Sequence, residues 1–171
     1  PPEKYAQEAA AIKAMGFSAY KMRPGLGPED DLKTVALMRK ATDPDFKLMV
    51  DAHTWWRMGD KSYSEPVIHD LAKEFQQYHP YWLEEPLPPE DHSAYKKLKD
   101  KNIVPVATGE HEQEYEGFED LANLGATDFL QMDVCCVCSV GDGRHLVRHH
   151  QDHGTNRGFA KGRQATQRKT T

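Results

Sequence analysis

The sequence predicts an α/β protein built on a parallel sheet, and three observations carry that prediction. Short apolar runs alternate with amphipathic stretches of helical period along the first 133 or so residues. Each apolar run ends at or just before a charged residue: Lys21, Asp51, Glu84, Glu110 and Asp133. Those five positions lie about 23 to 33 residues apart, the length of one strand plus one crossover helix. In a parallel sheet the C-terminal strand ends share one rim, so the five charged side chains are expected to converge.

The elements follow in order. A helical stretch from Lys4 to Met15 stops at Gly16, and Phe17 to Lys21 reads as the first strand. Leu32, Val35, Ala36 and Leu37 fall at helical spacing within a helix from Asp30 to Ala41, and Phe46 to Asp51 is the second strand. Ser64-Glu65-Pro66 opens a third helix with proline at an early position, and Val67, Leu71 and Phe75 mark its inner face. Tyr81 to Glu84 is the third strand, followed by a helix from Asp91 to Lys101 and a strand from Ile103 to Ala107. A helix from Glu116 to Gly125 and a strand from Asp128 to Asp133 complete the pattern.

The periodicity stops after Cys138. The chain is then rich in Gly, Arg, His, Gln and Thr, with few apolar residues to offset the entropy of ordering it. Charge divides in the same place. Of a formal net charge of -5, residues 139–171 contribute about +5 and the rest about -10. The expected organisation is a domain over residues 1–136 and a basic, low-complexity tail over 137–171, disordered or unrelated to that domain. A hydrophobic fraction of 38% and a mean hydropathy of -0.79 suit neither a membrane span nor a large core. With no secretory leader, and with three clustered cysteines (Cys135, Cys136, Cys138) that make no disulfide framework, a cytoplasmic location is expected.

Asp51, Glu84 and Glu110 at successive strand ends make a hard, oxygen-rich set suited to Mg²⁺, although strand-end acids also serve simply as helix caps. Their surroundings narrow the choice. Leu48-Met49-Val50-Asp51-Ala52-His53, Tyr81-Trp82-Leu83-Glu84-Glu85-Pro86 and Val104 to His111 closely resemble consecutive strand ends of the enolase superfamily, in its mandelate racemase and muconate lactonizing branch. Phe17 to Arg23 resembles the lysine-bearing strand, and Phe129 to Asp133 the strand whose aspartate partners a catalytic histidine. The resemblance covers about residues 1–136. It implies part of a TIM-type (β/α)7β barrel, with about five strands present, in which Asp51, Glu84 and Glu110 hold one Mg²⁺.

The resemblance also implies a chemistry. A proton alpha to a carboxylate is too weakly acidic for a side-chain base unless the enediolate it leaves is stabilised, which a bound divalent ion achieves. Racemases of the branch carry Lys-x-Lys on the early strand, whereas this chain has Lys21-Met22-Arg23. A guanidinium stays protonated and is a poor base, which argues against two-sided racemisation. Lys21 and Arg23 would instead steady the substrate carboxylate. His53 stands where some acid-sugar dehydratases of the family carry the acid that protonates a departing 3-hydroxyl. His111, in Gly109-Glu110-His111-Glu112, either touches the substrate or supports Glu110, and Trp55 and Trp56 either wall the pocket or pack internally. Asp133 would orient a catalytic base that follows in the family but matches nothing here. The capping domain and the remaining strands of the family are likewise unmatched, so this chain by itself is expected to be inactive.

The resulting expectation is a fragment of a Mg²⁺-dependent sugar-acid dehydratase, a hydro-lyase whose parent enzyme is a homo-oligomer acting on a small sugar acid. A racemase or cycloisomerase of the same superfamily is the nearest alternative. A different class remains in the tail. Cys135-x2-Cys138 is followed by Leu146 to His153, which resembles the second half of a zinc-binding nucleic-acid module, but the Cys-to-His gap is short and the aromatic core residue is missing.

Overall fold

The computed structural model describes residues 1–133 and a two-residue strand at Ala160–Lys161. Within it, α1 (Pro2–Ala14) leads to β1 (Ala19–Met22), and α2 (Pro28–Ala41) to β2 (Lys47–Asp51). α3 (Glu65–Phe75) precedes β3 (Trp82–Glu84), α4 (His92–Asp100) precedes β4 (Val106–Thr108), and α5 (Tyr115–Leu124) precedes β5 (Phe129–Met132). The five strands are parallel and lie in sequence order across one sheet. This is the α/β arrangement expected from the sequence. Ala160–Lys161, here β6, adds a short parallel pairing to β5 through Gln131 and Met132. The sequence pattern held no strand there, because two residues carry no periodicity. The Cys/His motif of the tail lies outside the described residues. Among those described, no helix is long and apolar enough to cross a membrane.

Helix boundaries follow local chemistry. α2 begins with Pro28 and carries Glu29, Asp30 and Asp31 in its first turn and Arg39 and Lys40 in its last, each sign complementing the helix dipole. Asp91 caps α4 by accepting from the Ala94 N–H at 2.9 Å. α5 ends at Gly125, whose φ of 62° supplies the left-handed cap that a side chain would oppose. β4 begins later than its apolar run predicts. Pro105 has no N–H to give the ladder and contributes only its carbonyl, which accepts from the Leu83 N–H at 2.8 Å.

Strand alternation sorts the two faces of the sheet. Met22, Leu48, Val50, Leu83, Val106 and Leu130 join helix residues such as Val35, Met38, Ile68, Phe75, Tyr95, Leu98, Phe118 and Leu121 in one buried cluster. The opposite face carries Lys21 beside Met49, Trp82 beside Met49, and Asp51 beside Glu84 in register. There Tyr81, Trp82 and Phe129 pack with ring centroids 5.2 to 5.4 Å apart. The register delivers Lys21, Asp51 and Glu84 to one face at one rim, so the sheet alone assembles most of the site.

Candidate active site

Asp51 and Glu84 end neighbouring strands, and their side chains are 2% and 1% exposed. Two buried carboxylates side by side require cations, which come from Lys21 in β1 and Arg23 just after it. Lys21 Nζ lies 2.5 Å from Glu84 Oε1 and 3.4 Å from Asp51 Oδ2. Arg23 donates to Asp51 Oδ2 from Nε at 3.0 Å and Nη2 at 2.7 Å. Burial pulls the Lys21 pKa down, but Glu84 and Asp51 more than reverse this, and the net shift is upward. Lys21 is therefore an ammonium donor in this arrangement. The hydrogen bond to Asp51 likewise raises Arg23 despite partial burial. Glu84 moves the other way from an ordinary ion-paired acid: burial raises its pKa even against Lys21, while Trp82 Nε1 donates to its Oε2 at 2.8 Å.

Glu110 follows β4 by two residues and reaches the same rim. Its Oε1 lies 3.1 Å from His53 Nδ1 and 3.6 Å from His111 Nε2, and His111 Nε2 lies 3.2 Å from His53 Nδ1. The His53 ring is almost buried, tilted against Trp56 at 5.1 Å and against His111 at 4.7 Å. Burial lowers its pKa, with His111 adding to the fall and Glu110 opposing it. Arg57 Nη1 lies 2.5 Å from His53 Nε2, and its guanidinium covers Trp56 at 5.3 Å.

The structure thus brings the predicted residues into two adjoining groups, Lys21, Arg23, Asp51 and Glu84 in one and His53, Glu110 and His111 in the other, joined where the His53 N–H donates to Asp51 Oδ1 at 3.3 Å, with Glu110 turned to the histidines. Asp133 directly follows β5 at the same rim. Trp56 borders His53, but Trp55 does not wall the site. It is fully buried, donates from Nε1 to Asp31 at 2.9 Å, and packs against Tyr63 and Phe75. Consecutive tryptophans on a tight turn cannot both face the same side.

Three contributors, Asp31, Arg57 and His92, carry no motif, and a fourth, Glu85, lies within one that assigns it no role. Asp31 is fully buried and accepts from the Gly25 and Leu26 N–H groups, Trp55 Nε1 and the Tyr63 hydroxyl, tying the loop after β1 to the loop after β2. Arg57 positions His53. Glu85, with φ of 47°, accepts from Thr108 Oγ1 at 2.8 Å and Gly109 N at 2.9 Å, and burial pushes its pKa up to about 7. His92 at the start of α4 bridges Glu112 and Asp120. It also borders an open cleft of about 370 Å³ with Pro89, Glu90, His111 and Glu112.

The donor chemistry of Asp51, Glu84 and Glu110 fits a hard divalent ion such as Mg²⁺: all three offer carboxylate oxygens, and the first two come from paired strand ends.

Residues 4–157 match the family described as enolase C-terminal domain-like. The chain belongs to that family. D-galactarolactone cycloisomerase of Agrobacterium fabrum is 35% identical over 130 residues, which is 76% of this chain and 32% of that protein. The chain spans about a third of the length of the curated relatives it matches. Among solved structures, the 3,6-anhydro-D-galactonate cycloisomerase of Zobellia galactanivorans superposes with a TM-score of 0.81 at 32% identity, covering 94% of this chain and 43% of that one. L-talarate dehydratase of Polaromonas sp. JS666, complexed with Mg and L-glucarate, shares the fold with a TM-score of 0.81 at 23% identity, covering 95% of this chain and 43% of that one. The enolase superfamily, with its TIM-type barrel, is therefore the setting of this rim.

Proposed function

We propose that this chain is the part of a sugar-acid dehydratase that binds the substrate carboxylate and expels the 3-hydroxyl. The observation that carries the reading is the rim itself, where two cations, three carboxylates and a buried imidazole meet at four successive strand ends. Asp51, Glu84 and Glu110 would hold Mg²⁺, which when bound supplies positive charge against a substrate carboxylate. Lys21 and Arg23 add fixed positive charge where negative charge develops as the alpha proton leaves. Arg23 cannot accept that proton, so its strand offers one face an electrostatic partner and no second base. His53, in the imidazolium form it can take once Arg57 leaves its Nε2, delivers a proton to the oxygen departing from C3, and Trp56 shields that transfer from water. The base lies outside residues 1–133, with Asp133 as its orienting carboxylate.

The two relatives of 30% identity or more named above favour a second reading. In a cycloisomerase the oxygen leaving C3 would belong to a ring and stay tethered, so no atom is lost. The test is a chimera in which residues 1–133 replace the corresponding segment of the Agrobacterium fabrum enzyme. With Mg²⁺ and a set of open-chain aldonic acids together with sugar-acid lactones and anhydro acids, the products separate the readings: loss of one water from an open-chain acid supports dehydration, and conversion of a cyclic substrate to an open-chain keto acid of unchanged composition supports ring opening. Interconversion of both enantiomers of a 2-hydroxy acid would contradict both.

A further inference from the structure

The sharpest geometry at the rim belongs to a ligand set unlike that of the three carboxylates. His53 Nδ1, His111 Nε2 and Glu110 Oε1 form a triangle with edges of 3.1, 3.2 and 3.6 Å. Adjacent ligands of a tetrahedral Zn²⁺ with bonds of about 2.0–2.1 Å are separated by about 3.3–3.4 Å. Octahedral Mg²⁺ with bonds of similar length would hold them only about 2.9 Å apart. Two imidazoles and one carboxylate are also the donors that borderline metals take, whereas Mg²⁺ prefers oxygen throughout. All three ligand atoms lie within 4.8 Å of one another, His53 is buried and the other two are half-buried. His111 borders the open cleft, so an ion has a way in and a fourth position has room for water.

We propose that His53, Glu110 and His111 form a second cation site, one that shares Glu110 with the three carboxylates, fills as an alternative to them, and is selective for a divalent transition metal of the Zn²⁺ class. Arg57 guards it. A guanidinium only donates, so its contact fixes the lone pair of neutral His53 on Nε2 and the ring proton on Nδ1, facing Glu110. An ion at Nδ1 requires that proton to move to Nε2, and Arg57, which is exposed, must then swing away. An occupied site also removes His53 as a proton donor, a consequence that rests on the role proposed for it above. Transition metals would thereby inhibit the reaction that Mg²⁺ supports.

The test uses the full chain with Cys135, Cys136 and Cys138 replaced by serine, so that thiolates do not compete, in Mg²⁺-free buffer, because Glu110 belongs to both ligand sets. Co²⁺ is the probe, because its visible bands report tetrahedral coordination. One equivalent should bind with intense tetrahedral absorption. His111→Gln and His53→Asn should each weaken binding by at least about 100-fold, since even outer contacts to a metal ligand are worth about 10–100-fold. Arg57→Gln should tighten it, because an amide oxygen can accept the Nε2 proton. Asp51→Asn should leave Co²⁺ binding unchanged while removing Mg²⁺ binding, which separates this proposal from the reading of the carboxylate site. Circular dichroism checks the fold of each variant, and if His53→Asn unfolds, half-exposed His111 decides alone. Co²⁺ affinity unchanged in a folded His111→Gln variant, or octahedral absorption throughout, would overturn the proposal.

Discussion

At Asp31 a single side chain holds two loops. Both carboxylate oxygens are occupied by donors from Gly25, Leu26, Trp55 and Tyr63, and the residue is shut off from water. Its replacement by alanine leaves an indole N–H, a hydroxyl and two backbone N–H groups without acceptors. Each buried unmet donor costs about 1–3 kcal/mol, so Asp31→Ala should destabilise the fold by about 3 kcal/mol or more in urea unfolding. Asp31→Asn should cost less, because its amide oxygen still accepts. Loss of under about 1 kcal/mol in the alanine variant would mean that the loops hold themselves. The same variant should loosen Lys21 and His53 together, since the tied loops leave the rim from the ends of β1 and β2.

The elements differ in how firmly sequence dictates them. Gly109 has φ of 118°, and a Cβ there would stand 2.8 Å from the Gln131 carbonyl. Gly109→Ala should therefore cost about 2 kcal/mol or more and displace Glu110, seen as weaker Mg²⁺ binding together with a lower melting temperature. Between α4 and α5, burial disfavours the His92 imidazolium, but hydrogen bonds to Asp120 and Glu112 outweigh it and raise the pKa above the ordinary 6.5. A raised histidine stabilises fully below about pH 6.5, and the contribution fades as pH rises through the higher folded value. With Asp120 largely exposed, the effect should be about 0.5–1 kcal/mol. It should appear as a stability difference between the wild type and His92→Gln at pH 5.5 that shrinks by pH 9. The strand and helix order was legible in the sequence because burial imposes periods on apolar residues, and the strand-end charges were legible because parallel register aligns them. Asp31, Arg57 and His92 were not legible: their partners sit across loops or on other helices, where no period links them. Pro105 delayed β4 for a reason the apolar run concealed, since hydrophobicity says nothing of a missing N–H. Trp55 and Trp56 were separated only by the turn that carries them.

For the molecule as a whole, the rim concentrates acidic groups that a bound cation would relieve. Mg²⁺ at ten times its dissociation constant should stabilise the native state by about 1.4 kcal/mol, read as a rise in melting temperature. Asp51→Asn should abolish that rise, and an equal rise in both proteins would place the ion elsewhere. The sheet has a further property. Because each of the five strands pairs with its neighbour in the chain, a cut in the exposed stretch at Glu90 and Asp91 leaves whole strands on both pieces. One piece then carries Lys21, Arg23, Asp51, His53 and Glu84, and the other Glu110 and His111, so neither holds a complete set of metal donors. Fused to two proteins whose encounter is to be detected, such halves would regain cation affinity only on docking, turning strand order into a proximity reporter.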